Sequence, residues 1–348
     1  MINVLLTGAG GNLSHFIHGA LKRAKLDIRV VACDYSSNAV GLFLAQAGYV
    51  VPPARSEAYL PRLISICRKE SIHIVFVGGI VEMRILASRA DELRQESGAF
   101  VVTSPPAALD RMADKYECAC SLAAAGFPAP ATVLASDHEA LERFLEQYGF
   151  PCIVKDRLGR GGSIGLGVAK DRPHLACLAE QIPNPIVQEY LYPDDAEYTV
   201  GAFVGTNGKA AASIVIQRQL GLGMTVKGRV LPGSDLGPHC ERILEALGCL
   251  GPGNLQLRLT KQGPVVFEIN PRFSSTTSAR AFYGYNEPEM CIRHFVLKEP
   301  IERPAIRAGR FFRTIEDVFV EEEEFQSLVE SGLIQRSRAP KRPRGSQR

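Results

Sequence analysis

Within the first hundred residues, short β-branched runs alternate with segments of helical period, and this alternation limits the fold more than any other feature of the chain. The runs INVLLTG (2–8), IRVVACD (28–34) and IHIVFVGG (72–79) are separated by helical stretches from about Ser14 to Lys25, Ala39 to Ala47 and Tyr59 to Lys69. Strands that recur only after a helix-length crossover pair in parallel, with helices on both faces of the sheet. A doubly wound parallel sheet is therefore expected over residues 1–104. The length of 348 residues leaves room for more, because single cores rarely grow beyond roughly 250 residues.

The pattern then changes. Residues 105–131 read as a linker helix carrying Asp110, Asp114 and Lys115, closed by the breaker GFPAP at 126–130. Residues 132–191 read as a small α+β subdomain: a helix from His138 to Tyr148, the strand CIVKD, a glycine-rich loop at 159–167, a helix from His174 to Glu180 and the strand PIVQEYL. Residues 192–334 hold the strands YTVGAFVG, AAASIVIQRQ and PVVFEIN, with a helix from about Cys240 to Leu247. The acidic run Glu321–Glu324 reads as a solvated helix face. No internal repeat is detected.

Composition excludes several classes. Hydrophobic residues at 46% and charged residues at 22% describe a folded globular chain, not a disordered one. The net charge of +3 is concentrated in a basic tail, residues 335–348, with Arg336, Arg338, Lys341, Arg342, Arg344 and Arg348 and no acid. The rest is slightly acidic, so no nucleic-acid footprint covers the body, and the tail reads as a solvated disordered end. Nine cysteines, an odd number with no CxxC and no zinc-ligand spacing, fit a reducing cytoplasm. The start at Ile2–Leu6 lacks the form of a signal peptide, and no apolar run reaches the roughly 18 residues of a membrane span. A cytoplasmic protein without membrane or nucleic-acid partners is expected.

Chemistry is carried by four places. The turn Gly8-Ala9-Gly10-Gly11-Asn12 after the first strand, with Asp34 closing the second, superficially matches a dinucleotide fingerprint. Such turns equally serve any helix that must approach its sheet closely, so a nicotinamide-dependent reductase is a lesser alternative. Lys155 ends an apolar strand and precedes Gly159-Arg160-Gly161-Gly162-Ser163-Ile164-Gly165. An ammonium beside free backbone N–H groups suits polyphosphate oxygens. Gln188-Glu189-Tyr190-Leu191 and then Glu197 follow, and Phe267-Glu268-Ile269-Asn270-Pro271-Arg272 closes a strand. Glu268 and Asn270, two apart, point to one face as hard oxygen ligands for Mg²⁺, with Arg272 beside them. Fourth, Ser274 to Ser278 start a helix where hydroxyls and N–H groups can meet an anion or simply cap, and Arg229, in the loop Gly221–Arg229, is a further candidate for the reacting anion. His15 and His18 read as residues of a surface helix.

In this order the elements resemble the ATP-grasp superfamily, in the branch shared by the carbamoyl-phosphate synthase large subunit, biotin carboxylase and pyrrolysine-pathway ligases, over roughly residues 1–300. EINPRF is the most specific match. The resemblance implies a preATP-grasp domain over 1–104 and ATP-grasp A and B subdomains over 132–191 and 192–334. It makes Lys115 and Lys155 the nucleotide lysines, Gln188 to Leu191 the adenine hinge and Glu197 the acid for the ribose hydroxyls. Gln256, Glu268 and Asn270 become the metal-side residues for Mg²⁺, with Mn²⁺ as a substitute, and Gly161, Gly162 and Ser163 the phosphate loop.

What this implies is a ligase that activates a small carboxylate as an acyl phosphate for attack by an amine or another nucleophile, with ATP and Mg²⁺ as cofactors. Arg272, Arg229 and Ser274 are the catalytic candidates, and two copies pair through the N-terminal region by analogy. Two positions depart from the pattern: Asp156 stands where proline is common, and Ser275 where carbamoyl-phosphate synthases carry a second arginine. They keep open a module that binds ATP without turnover.

Overall fold

In the computed structural model, which describes residues 1–158, 165–221 and 223–335, the early apolar runs become parallel strands. These are β1 (Ile2–Leu6), β2 (Ile28–Asp34), β3 (Ala47–Val50), β4 (Ile74–Phe76) and β5 (Phe100–Val102), in the sheet order β3-β2-β1-β4-β5. Val4, Leu5, Val31, Ala32, Val75 and Phe76 are all buried. Strands covered by helices on both faces need continuous apolar runs of this kind. Ala47, expected to end a helix, instead opens the strand β3, and the helix before it stops at Leu44.

The strand Leu333–Gln335 joins this sheet antiparallel to β3, so Gln335, expected to begin the disordered tail, pairs with Ala47. The remaining tail residues, including Arg336, Arg338, Lys341, Arg342, Arg344 and Arg348, lie outside the described residues. Residues 286–300 and 315–335 belong to the same compact unit as residues 1–103. Glu321–Glu323 are exposed at the start of the helix Glu322–Ser331, as a solvated acidic face should be.

The N-terminal glycine turn is spent on packing. Gly8 has φ +58°, and a side chain on Gly78 would meet Thr7 O at 2.5 Å and Ser14 Oγ at 1.7 Å. Gly10 N donates to Asp34 Oδ2 at 2.8 Å, and Ser36 N donates to Asp34 Oδ1 at 2.9 Å. Asp34 is buried and both of its oxygens are engaged inside the fold. His18, read as a surface residue, is 6% exposed and faces the core with Ile17 and Leu21, whereas His15 is exposed.

The second compact unit, residues 104–285 and 301–314, holds two antiparallel sheets. The smaller is β6 (Thr132–Leu134), β7 (Cys152–Asp156), β8 (Leu166–Ala169) and β9 (Pro185–Glu189), in the order β6-β9-β7-β8. Phe144, Leu145, Cys152, Val154, Leu175 and Val187 form its core. The larger comprises β10 (Glu197–Val204), β11 (Ala210–Gly221), β12 (Met224–Val230), β13 (Gly251–Thr260), β14 (Gly263–Asn270) and β15 (Gly309–Phe312), in the order β14-β13-β10-β11-β12-β15.

One face of the larger sheet is apolar. Val200, Val215, Leu255, Leu257 and Val266 pack there with Ile243 and Leu244 of the helix Leu236–Ala246. Ala108, Met112, Cys118 and Leu122 join the same core from the helices Pro106–Ala113 and Lys115–Ala124. The stretch expected as one linker helix is thus two helices, broken where Asp114 accepts from Tyr116 N and Glu117 N at the head of the second. Side chains alternate across a strand, so the opposite face of this sheet is left for polar residues.

Candidate active site

On that polar face, Asn254, Gln256 and Arg258 of β13 lie two apart, and Gln256 and Asn254 stand opposite Glu268 and Asn270 of β14. Glu268 Oε1 accepts from Asn270 Nδ2 at 2.7 Å and from Gln256 Nε2 at 3.2 Å. Arg272, half-buried just beyond the strand, donates to Asn270 Oδ1 at 3.0 Å and to Phe273 O at 2.9 Å. Burial holds its guanidinium below its usual value against the opposing pull of Glu268.

The smaller sheet contributes the lysines. Lys155 is buried, donating to Gln188 Oε1 at 2.7 Å and reaching Phe267 O, the carbonyl before Glu268, at 3.4 Å. Its pKa is lowered to about 8, chiefly by burial, with Glu268 raising it and Lys115 lowering it. Lys115 Nζ donates to Asp156 O at 3.0 Å, and Lys115 N to Arg157 O. Asp156, the departure from proline, turns its carboxylate back to accept from Leu158 N at 3.1 Å. Two ammonium groups, a guanidinium and one carboxylate therefore converge where the two sheets meet within this unit.

The segment after β9 is tied down residue by residue. Gln188 donates to Thr132 Oγ1 as well as receiving Lys155, so its buried side chain serves the lysine. Glu189 accepts from Ala131 N at 3.1 Å, Tyr190 donates to Asp194 at 2.9 Å, and Leu191 O accepts from Arg258 at 2.7 Å. Glu197 is clamped from both sides. Arg218 donates to its Oε1 at 2.7 and 2.9 Å, and Arg258 to its Oε2 at 2.7 Å.

Two expectations, those for Arg229 and Ser274, are corrected by this geometry. Arg229 is not in a loop but in β12, paired with Gln217 of β11 and Arg310 of β15. Its register puts it on the face shared with Val215 and the helix Leu236–Ala246, opposite to Gln256 and Glu268, so it cannot serve a reaction beside Glu268. Gln256 spends its Oε1 on Arg218 at 2.6 Å and presents its amide nitrogen to Glu268. Ser274 is buried, with its Oγ bonded to Thr276 Oγ1 at 2.7 Å and accepting from Thr276 N, so its hydroxyl is used within its own turn. Gly161, Gly162 and Ser163 lie outside the described residues.

Sequence reading missed Arg218 and Arg258, although NLQLRL carried the signal: period two puts Asn254, Gln256 and Arg258 on one face. It also missed Arg280, fully buried and bonded to Asn254 Oδ1 and Thr199 Oγ1 beneath the same face. Arg313, which donates to Thr225 O and Ser275 O, was missed too, having no strand pattern to mark it.

Among the described residues, no group of three or more His, Cys, Asp or Glu side chains is arranged to hold a metal. A divalent ion here would rest on Glu268, whose Oε2 makes no hydrogen bond among the described residues, on Asn270 Oδ1, and on oxygens of a bound phosphate. That mixed oxygen set is the one Mg²⁺ takes beside nucleotides, and Lys115, Lys155 and Arg272 supply the positive charge that polyphosphate requires. Among the described residues no helix is long and apolar enough to cross a membrane.

Comparison with known proteins adds the family context. Residues 181–318 match the family described as ATP-grasp in the biosynthetic pathway with Ter operon, residues 4–101 the PylC-like N-terminal domain, and residues 112–214 the RimK-like ATP-grasp domain. The chain is 27% identical over 215 residues to the carbamoyl phosphate synthase large chain of Micrococcus luteus, a match covering 58% of this chain but only 19% of that one. It is 24% identical over 284 residues to an uncharacterized protein of Methanocaldococcus jannaschii, covering 75% and 70% of the two chains.

Among solved structures, N5-carboxyaminoimidazole synthetase from Staphylococcus aureus complexed with ADP superposes with a TM-score of 0.71 at 14% identity, over 95% of this chain and 85% of that one. The L-amino acid ligase from Bacillus licheniformis gives a TM-score of 0.64 at 17% identity, over 87% and 75%. At such identities the likeness is one of fold.

Proposed function

The chain belongs to the ATP-grasp superfamily, and from that premise we propose that it is an ATP- and Mg²⁺-dependent ligase. It activates a small carboxylate as an acyl phosphate for attack by an amine or another nucleophile, releasing ADP and phosphate. The observation that carries this reading is the convergence of Glu268, Asn270 and Arg272 with the buried Lys155. Phosphoryl transfer is catalysed mainly by positioning and charge neutralisation. Bound between Glu268, Asn270 and the phosphates, Mg²⁺ supplies Lewis-acid charge neutralisation.

Lys115 and Lys155 hold phosphate oxygens, and Arg272 holds the carboxylate as negative charge develops on it. The nucleotide lies along the segment Gln188–Leu191, with the ribose at Glu197. The test is ATP consumption with Mg²⁺ across pools of small carboxylic acids, with and without amines, with the nucleotide product identified. Amine-dependent release of ADP and phosphate is expected. AMP and pyrophosphate would contradict the acyl phosphate, and nucleotide binding without turnover in any pool would leave a binding module.

Lys155 ties nucleotide affinity to pH. It must carry its proton to hold phosphate, and burial has brought its pKa down to about 8. ADP affinity should be level below about pH 7 and fall up to about tenfold per unit above pH 8. Titrations from pH 6.5 to 9.5 check this, and Lys155→Arg, which stays charged, should flatten the curve.

A further inference from the structure

A single hydrogen-bonded chain runs across the polar face of the larger sheet. Arg258 links Leu191 O and Asp194 to Glu197, and Arg218 links Glu197 to Gln256. Gln256 then donates to Glu268, Glu268 accepts from Asn270, and Asn270 accepts from Arg272. Every link lies between 2.6 and 3.2 Å. Arg218 and Glu197 are 7% and 14% exposed, so water screens their ion pair poorly.

The polarity of the chain is consistent throughout. Each guanidinium is a pure donor and each carboxylate a pure acceptor, and Gln256, with one oxygen and one NH₂, is the only member of the middle stretch that can both receive from Arg218 and give to Glu268. Turning the Gln256 amide over would face its NH₂ to Arg218 and its oxygen to Glu268, breaking both bonds. The position of Glu268 Oε1 is thus set, through two side chains, by where Arg218 holds Glu197.

We infer that Arg218 and Gln256 are positioning residues that couple the nucleotide end of the site to its cation end. The inference rests on the ligase reading above. A nucleotide that engages Glu197 fixes Arg218, which fixes the Gln256 amide and with it the orientation of Glu268; a cation on Glu268 acts back along the same path. Such coupling is reciprocal and is commonly 5- to 150-fold in affinity, roughly. From Glu197 through Arg218, Gln256 and Glu268 to Asn270, every member of the path lies on a sheet strand held in fixed register.

The test compares ADP affinity with and without Mg²⁺ in the wild type, Arg218→Met and Arg218→Lys, by calorimetry on the full chain. Wild type should bind ADP at least about tenfold more tightly with Mg²⁺. In Arg218→Met that gain should shrink to less than about threefold, and Arg218→Lys, which keeps the charge without the fork, should restore part of it. A variant weakened equally with and without Mg²⁺ would mean that Arg218 only orients Glu197 and would overturn the coupling, as would an unchanged gain. Should Arg218→Met fold poorly, Arg218→Gln, neutral and too short to hold both Glu197 and Gln256, breaks the same path and should lose the same gain. Wild-type protein that binds no ADP in either condition would strike the ligase reading itself, which separates the two failures.

Discussion

Replacing Glu268 with glutamine should reduce Mg²⁺-dependent turnover by on the order of a thousandfold while leaving the fold intact, because two losses coincide at one atom-for-atom substitution. The first is the cation. Glu268 Oε1 already receives Asn270 Nδ2 and Gln256 Nε2, so a glutamine amide must keep its oxygen toward those donors and point its NH₂ outward. A donor then stands where an oxygen ligand is needed.

The second loss concerns Lys155. Glu268, ahead of Cys118, raises the Lys155 pKa against the burial that lowers it to about 8. Without the carboxylate that pKa falls further, and a growing share of the lysine is neutral near neutral pH. Single groups that stabilise developing charge are commonly worth about 100- to 1000-fold in turnover. Steady-state rates of Glu268→Gln with the identified substrate, together with ADP titrations across pH, check both parts. The midpoint for loss of ADP affinity should move to lower pH than in the wild type. Turnover within tenfold of the wild type would remove Glu268 from the reaction.

What could be read from the sequence follows physical lines. Elements whose hydrophobic period is uninterrupted were placed to the residue: Tyr59–Lys69, His138–Tyr148 and Cys152–Asp156 are observed with the boundaries expected of them. Ala47–Val50 was missed because AGYV is too short to show a period and lies directly after a helix. The joining of Leu333–Gln335 to β3 was not legible, since pairing partners distant in sequence leave no local mark.

At the site, spacing sufficed to put Glu268 and Asn270, two apart on one strand, on the same face. It was not enough for Arg229, because a strand residue's face depends on the parity of its register with neighbouring strands, and the register shift between Gln219 and Leu220, which no sequence pattern marks, changes that parity. Gln256 was placed on the right face, yet its role turns on which end of the amide faces Glu268, and that is decided by Arg218, thirty-eight residues away in sequence. Ser274 offered both a ligand and a turn reading, and only the positions of Thr276 and Thr277 select the second.

Lowering the pH from 7.5 to 5 should destabilise the N-terminal unit by about 2 kcal/mol through His18 alone. The helix Asn12–Leu21 buries Ser14, Ile17, His18 and Leu21, the i, i+3, i+4 and i+7 positions of a core-facing stripe, so the histidine sits where an apolar residue would. Burial chiefly, then the neighbouring Lys22 and His15, lower its pKa to about 3. Because the folded pKa lies below the unfolded value of 6.5, the unfolded chain takes up the proton first. The stability associated with neutral His18 is complete above pH 6.5 and is lost at about 1.4 kcal/mol per unit as the pH falls from there toward 3.

Removing the titratable group should remove that slope, so His18→Leu should lose less stability than the wild type between pH 7.5 and 5, whatever its stability at pH 7.5. Comparing the slope, and not the absolute stability, cancels any packing cost of the new side chain. Hydrogen exchange of the β1 amides, corrected for the intrinsic pH dependence, reports this unit separately from the rest of the chain. Equal slopes for the two proteins would mean that His18 is protonated in the folded state at pH 5, and that the helix does not hold it against the sheet.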